Sequence, residues 1–163
     1  SSIRRISKSK PKIGNGTEKT SMTGKYFLDT NFLVYCFSKD EPEKRQKCHD
    51  LLTQGKGRVA FVLSTQVLNE FAAVMIGKFK QDPIGVKEIL NNLALFEVVT
   101  IEINLIKDAI DIHLLNKISF WDSLIISGAR SARCQVILTE DLGHGMEIAG
   151  VKVQNPFLIQ ILE

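Results

Sequence analysis

Cysteine, histidine and long apolar runs are all scarce in this sequence, and each scarcity argues against a class of protein. The three cysteines, Cys36, Cys48 and Cys134, are odd in number, widely spaced and without a C-x-x-C pair. That pattern argues against a disulfide framework and against a zinc site. The three histidines, His49, His113 and His144, include no His-x-x-x-His pair, which points the same way. No apolar run reaches the roughly 18–20 residues that a membrane span needs. No apolar stretch follows the basic residues of the N-terminus, so no secretory leader is expected. A reducing cytoplasm is the simplest setting, with all three thiols packed or idle.

What is present is ordinary for a globular chain. Its 163 residues are 44% hydrophobic and 24% charged, enough for one domain with a single sizeable core. The net charge of +3 is unevenly spread. Residues 1–24 hold Arg4, Arg5, Lys8, Lys10, Lys12 and Lys19 against Glu18, a balance of +5, which leaves −2 for residues 25–163. The first 24 residues are rich in Ser, Lys and Gly with almost no hydrophobic periodicity, so a poorly ordered basic tail is expected there. Such an arm can attract nucleic acid. With Met22 close behind it, vector-derived or upstream sequence is the favoured reading. The folded domain is expected over residues 25–163, and no internal repeat is visible.

From Lys25 onward, short apolar runs alternate with longer stretches of helical period. Tyr26-Phe27-Leu28 reads as a buried strand ending at Asp29. Val59–Leu63, Phe96–Ile101, Val136–Leu138 and Val151–Val153 read as four more. Helices are expected from Asn31 to about Phe37 and from Pro42 to about Leu52. Others should run from a cap at Ser64 or Thr65 to about Lys78, after Asp82-Pro83, over Ile103–Leu115 and over Phe120–Ala132. About five strands interleaved with about six helices call for an α/β fold, a mainly parallel sheet with helices on both faces. In such sheets ligands bind beyond the carboxyl ends of the strands. Asp29 and Asp141 each follow a strand, Glu70 lies about one turn into the helix after the second strand, and Asp122 begins another helix.

Each of these acids has an ordinary explanation when taken alone. Asp29 can cap the helix that starts near Asn31. Asp122 follows Ser119 by three positions, as in a capping box, and Asp141 can turn its own loop. Glu70 is harder to explain in this way. Val67, Leu68, Phe71, Ala72, Ala73 and Val74 surround it, and a lone carboxylate there is costly to desolvate unless it is paired or bound to a metal. Asp122 has a similar setting among Phe120, Trp121, Leu124, Ile125 and Ile126. Four carboxylates at one rim repel one another, and a hard divalent cation, Mg²⁺ or Mn²⁺, resolves that conflict with oxygen ligands. Asn31 and Thr139 are neutral polar groups suited to orienting ligands or waters. His49 reads as solvated, His113 as packed or half-exposed, and His144 as loop structure beside Asp141. Lys44, Arg45 and Lys47 share one short helix, where a solvated face is the default reading and phosphate contact the alternative.

These motifs resemble those of the PIN domain. Phe27-Leu28-Asp29-Thr30-Asn31 resembles its opening, Leu68-Asn69-Glu70-Phe71 its second acidic motif and Phe120-Trp121-Asp122-Ser123-Leu124-Ile125 its third. Leu138-Thr139-Glu140-Asp141-Leu142 resembles the fourth, and Asn155-Pro156-Phe157 the C-terminal close. The resemblance spans about Lys25 to Phe157 and implies a three-layer α/β fold. It further implies Mg²⁺- or Mn²⁺-dependent endonuclease activity on RNA, and homodimers. Asp29, Glu70, Asp122 and Asp141 would be the catalytic and metal-binding acids, with Thr139 in support and Glu140 able to replace or supplement Asp141. Compact PIN proteins of this length look most like VapC-type toxins, which a small antitoxin protein binds and blocks. A standalone PIN nuclease and a non-catalytic PIN interaction module are the alternatives. A haloacid-dehalogenase-type phosphatase wants D-x-D, where this chain has Asn31. Because the folded part is slightly acidic, RNA binding is expected to need metal and local positive groups rather than a broad basic surface.

Overall fold

The structure, a computed structural model, describes residues 17–20 and 23–161. Along the chain it forms β1 (Glu18–Thr20), β2 (Gly24–Leu28), α1 (Thr30–Phe37), α2 (Pro42–Gly55), β3 (Val59–Ser64), α3 (Thr65–Gly77) and α4 (Pro83–Leu93). There follow β4 (Glu97–Val99), α5 (Ile103–Asn116), α6 (Phe120–Ser131), β5 (Val136–Leu138), β6 (Glu147–Ile148), β7 (Val151–Gln154) and β8 (Ile159–Ile161). The five strands and six helices expected from periodicity are all present. Three further short strands, β1, β6 and β8, were not expected.

The main sheet has six strands in the order β4-β3-β2-β5-β7-β6. Every neighbouring pair is parallel except β6 with β7. A separate parallel pair joins β1 to β8, Glu18 opposite Ile159 and Thr20 opposite Ile161. Part of the stretch expected as a tail is therefore strand. The rest of that stretch, apart from residues 17, 23 and 24, lies outside the described residues.

Parallel strands covered on both faces need continuous apolar runs rather than alternation, and the central strands have them. Phe27, Leu28, Val62, Leu63, Ile137 and Leu138 are fully buried, each contributing about 1.5–3 kcal/mol of transfer free energy. Helix α1 packs on α2 and α3, and α3 on α4, while α5 packs on α6, which lies against β3, β5 and β7. From β2 the chain steps outward to β3 and β4, then returns to β5 on the other side of β2. With right-handed connections, the outgoing helices cover one face and the returning pair α5–α6 the other. The strand order thus reverses between β2 and β5, which opens a crevice beyond their carboxyl ends. Among the described residues, no helix is long and apolar enough to cross a membrane.

Candidate active site

Asp29 sits at this reversal point. Its backbone N–H donates to the Leu138 carbonyl at 3.3 Å, the last rung between β2 and β5. It is also the N-cap of α1, as its sequence position suggested: Oδ1 accepts the Thr30 N–H at 2.7 Å. Oδ2 accepts the Thr139 hydroxyl, also at 2.7 Å. The residue is only 3% exposed. Burial drives its carboxyl up to about 7, the hydrogen bonds from Thr139 and Thr30 pull it back, and the charges of Glu70 and Asp122 push it further up. Capping and a place among clustered acids are therefore compatible.

Glu70 reaches the same crevice from α3. The Thr30 hydroxyl donates to its Oε2 at 2.8 Å, and Gln66 Nε2 to its Oε1 at 3.0 Å. On the inner side of α3, Val67, Phe71 and Val74 are buried in the core, while Glu70 is half-buried. Gln66 Nε2 also donates to the Trp121 carbonyl at 3.1 Å, tying α3 to the first turn of α6. Gln66 Oε1 is buried and finds no hydrogen-bond partner among the described residues. Asp122 stands in that first turn, with its N–H donating to Ser119 Oγ at 3.1 Å. The capping reading of Ser119 is correct, and it fixes the turn that carries Asp122. Trp121 beside it is half-exposed.

The loop after β5 supplies the remaining groups. Thr139 bridges two acids, donating its hydroxyl to Asp29 while its Oγ1 accepts the Asp141 N–H at 3.1 Å. Asn31 Nδ2 donates to Asp141 Oδ2 at 2.9 Å, so the first and fourth motifs meet directly. Glu140 turns the other way. Its Oε1 accepts the Tyr35 hydroxyl, and its Oε2 pairs with Lys44 Nζ at 3.1 Å. Burial and the Glu140 carboxylate push the Tyr35 phenol above its ordinary value. Lys44 is thus not part of a solvated face. It shares the inward stripe of α2 with Cys48 and Leu51, and all three are buried.

Tyr35, Thr30, Gln66 and Lys44 take part in this network without having been singled out for it by sequence. Gln66 lies four residues before Glu70, a spacing that brings helical side chains together. Lys44 falls in the stripe with Cys48 and Leu51, which is a readable signal. His144 Nδ1 accepts the Asn155 N–H at 3.0 Å, so it has the expected loop role. His49 Nε2 donates to the Cys36 carbonyl at 2.8 Å.

The polar groups gathered around the crevice offer oxygen ligands of the kind that suit a hard divalent cation. Asp29, buried beside two further acids, is the group whose cost such a cation would relieve. As they stand, no three His, Cys, Asp or Glu side chains among the described residues are gathered closely enough to hold a metal ion. Hydrogen bonds to Thr30, Gln66, Thr139 and Asn31 hold three of the carboxylates individually.

The family model described as PIN domain matches residues 26–144. Several solved structures share the fold. One is VapC20 of Mycobacterium tuberculosis, a sarcin–ricin-loop-cleaving toxin, with 15% identity and a TM-score of 0.57 over 71% of this chain and 89% of that one. Another is VapBC2 from Rickettsia felis bound to a promoter DNA fragment, with 16% identity and a TM-score of 0.61 over 85% and 99%. A toxin–antitoxin complex from Klebsiella pneumoniae has 21% identity and a TM-score of 0.59 over 82% and 99%. At these identities the likeness is one of fold. No curated protein sequence matches the chain.

Proposed function

Since the chain belongs to the PIN domain family, we propose that it is an endoribonuclease dependent on Mg²⁺ or Mn²⁺, with Asp29, Glu70, Asp122 and Asp141 as its catalytic acids. The observation that carries this reading is Asp29. It is a carboxyl at the β2–β5 reversal, raised chiefly by its burial and further by the charges of Glu70 and Asp122, and joined through Thr139 to Asp141. These four acids would hold the cation, which when bound supplies positive charge beside a scissile phosphodiester.

The chain's own residues prepare the site. Thr139 and Thr30 fix the two oxygens of Asp29, Gln66 and Thr30 fix Glu70, and Asn31 orients Asp141. Side chains held in this way lose little freedom when a ligand binds. Asp141 is preferred to Glu140 as the fourth acid because it is turned toward Asn31, whereas Glu140 is engaged by Lys44 and Tyr35. The fold shared with VapC and VapBC structures supports a toxin of a toxin–antitoxin pair. In that setting RNA is the substrate, a small antitoxin protein the partner, a homodimer the assembly and the cytoplasm the location. A second reading, a PIN fold kept as a protein-interaction module, draws on the spacing of the acids as they stand.

Cleavage of a fluorescent RNA separates the two. The expected outcome is cutting that requires Mn²⁺ or Mg²⁺ and stops with a chelator. Asp29→Ala, Glu70→Gln and Asp122→Asn should each lower the rate by about 10²–10³, as losses of transition-state charge stabilisation do, with far-UV circular dichroism unchanged. RNA cut at the wild-type rate by Asp122→Asn would overturn the assignment. Binding of RNA without cleavage would favour the module. For the toxin setting, expression should arrest growth, and a neighbouring small gene should relieve the arrest.

A further inference from the structure

Lys44 is the one cation of α2 that the fold buries, at 6% exposed. Its surroundings are specific: Glu140 Oε2 and the Tyr35 hydroxyl each at 3.1 Å, with the rings of Tyr35 and Phe157 at 4.7 and 5.0 Å from Nζ. Tyr35 and Phe157 also meet edge to face, with centroids 5.4 Å apart. Two helices therefore close on a single acidic side chain of the loop after β5, and Phe157 of the C-terminal segment packs against both residues that hold it.

That side chain lies between Thr139 and Asp141, whose polar groups reach Asp29 and Asn31. Its own carboxylate is turned out of their network by the Lys44–Tyr35 clamp. Stability alone is a poor account of such a pair. Desolvating two charges is costly, and apolar replacements of similar volume are often neutral or stabilising. What the pair does provide is a fixed path for three consecutive residues, together with the removal of a fifth carboxylate from the acid cluster.

We propose that Lys44 is a positioning residue. By holding Glu140 against Tyr35 it fixes the 139–141 loop and presents Asp141 as the fourth acid. This inference rests on the metal-dependent reading above and names a control on that same site.

The test compares full-length wild type, Lys44→Met and Lys44→Met/Glu140→Gln. Mn²⁺ binding is followed by the free-ion signal in electron paramagnetic resonance, with melting curves and RNA cleavage alongside. Lys44→Met leaves Glu140 charged and unclamped, and it should weaken Mn²⁺ binding about tenfold, the usual effect of losing an outer support of a metal ligand. It should lower kcat, with KM for RNA unchanged. In the double variant the amide keeps the Tyr35 hydrogen bond without a stray charge, and Mn²⁺ affinity should return to near the wild-type value.

Several results would overturn the proposal. One is wild-type Mn²⁺ affinity in folded Lys44→Met, since a lower melting temperature alone would mark a merely structural pair. Failure of the double variant to recover is another. A raised KM with a flatter salt dependence would instead make Lys44 a phosphate contact. If Lys44→Met does not fold, Lys44→Met/Glu140→Ala removes the tether without leaving a charge, and it should bind Mn²⁺ as weakly as predicted for the single variant. Wild-type protein that binds Mn²⁺ but cuts no RNA defeats the nuclease reading. The affinity comparison among the variants then still supports or overturns the clamp.

Discussion

The burial that makes Asp29 a candidate cation ligand also makes its charge costly to the fold. Its carboxyl is raised from 3.8 to about 7, so the folded state holds the proton where the unfolded chain has released it. The sign follows directly: relative to a protonated Asp29, folding is penalised as pH rises above 4, and the penalty levels off above about 7. Asp29→Asn keeps the cap, since Asn is an equally good N-cap, and removes the charge. In chelator-treated protein at pH 8 this variant should melt above wild type by about 1 kcal/mol or more in stability, the scale of an under-compensated buried polar group. Near pH 4 the two should converge, and saturating Mn²⁺ should reverse their order by stabilising wild type alone. Equal melting temperatures at pH 8 without metal would show that Asp29 carries no such cost. At this scale the sequence was readable where a residue contradicts its neighbours. Glu70 interrupts an apolar helix, and that contradiction singled it out. Glu140 and Asp141 are adjacent acids in one loop, and their opposite directions depend on Lys44, 96 residues away in the chain, and on Asn31, 110 residues away. Neither pairing can be read from the residues around Glu140 and Asp141 themselves.

Elements were legible in proportion to their length. Helices of eight or more residues show a period, and caps at Asp29, Ser64, Asp82 and Ser119 mark their starts. β6, β8 and β1 passed unseen at two or three residues each, whereas the equally short β4 and β5 lie in the apolar runs Phe96–Ile101 and Val136–Leu138 that marked them. β1 and β8 pair only with each other, and β6 only with β7. Within α6, Gly128 marks a close helix–sheet approach that the sequence alone leaves open. A Cβ built there would meet Ser64 Cβ and Ile101 Cδ1, each at 3.6 Å, and Phe27 Cε2 at 3.9 Å. Those are ordinary contact distances, so alanine fits and larger side chains do not. Gly128→Ala should stabilise the protein by about 0.5–1 kcal/mol through helix propensity and a less flexible unfolded chain, with cleavage unchanged. Gly128→Leu should lower the melting temperature by several degrees through overpacking. A destabilised Gly128→Ala in thermal melts would mean that α6 lies closer to the sheet than these contacts allow.

For the whole molecule, the interleaving of strands and helices was enough to expect a parallel sheet, but not its strand order. That order places β2 and β5 side by side and lets Asp29 and Asp141 share one crevice. It also leaves the N-terminal strand β1 outside the main sheet. β1 pairs only with β8, in a two-stranded sheet apart from the six-stranded one. Of the net charge, +5 belongs to residues 1–24 and −2 to the remainder. Deleting residues 1–21 should therefore remove one short ladder, costing about 1–2 kcal/mol at roughly the net worth of its few hydrogen bonds. It should leave the β2–β5 crevice intact. Cooperative thermal unfolding and kcat on fluorescent RNA should persist. KM should be compared at two salt concentrations, because a tail that contributes phosphate contacts would make affinity fall more steeply with salt in the full chain than in the truncation. The upstream-sequence reading of the tail predicts parallel salt dependences. Loss of cooperative unfolding would instead show that β1 is needed to hold β8 in place, where Ile159 is buried in the core and its carbonyl accepts from Lys47 Nζ of α2 at 2.6 Å.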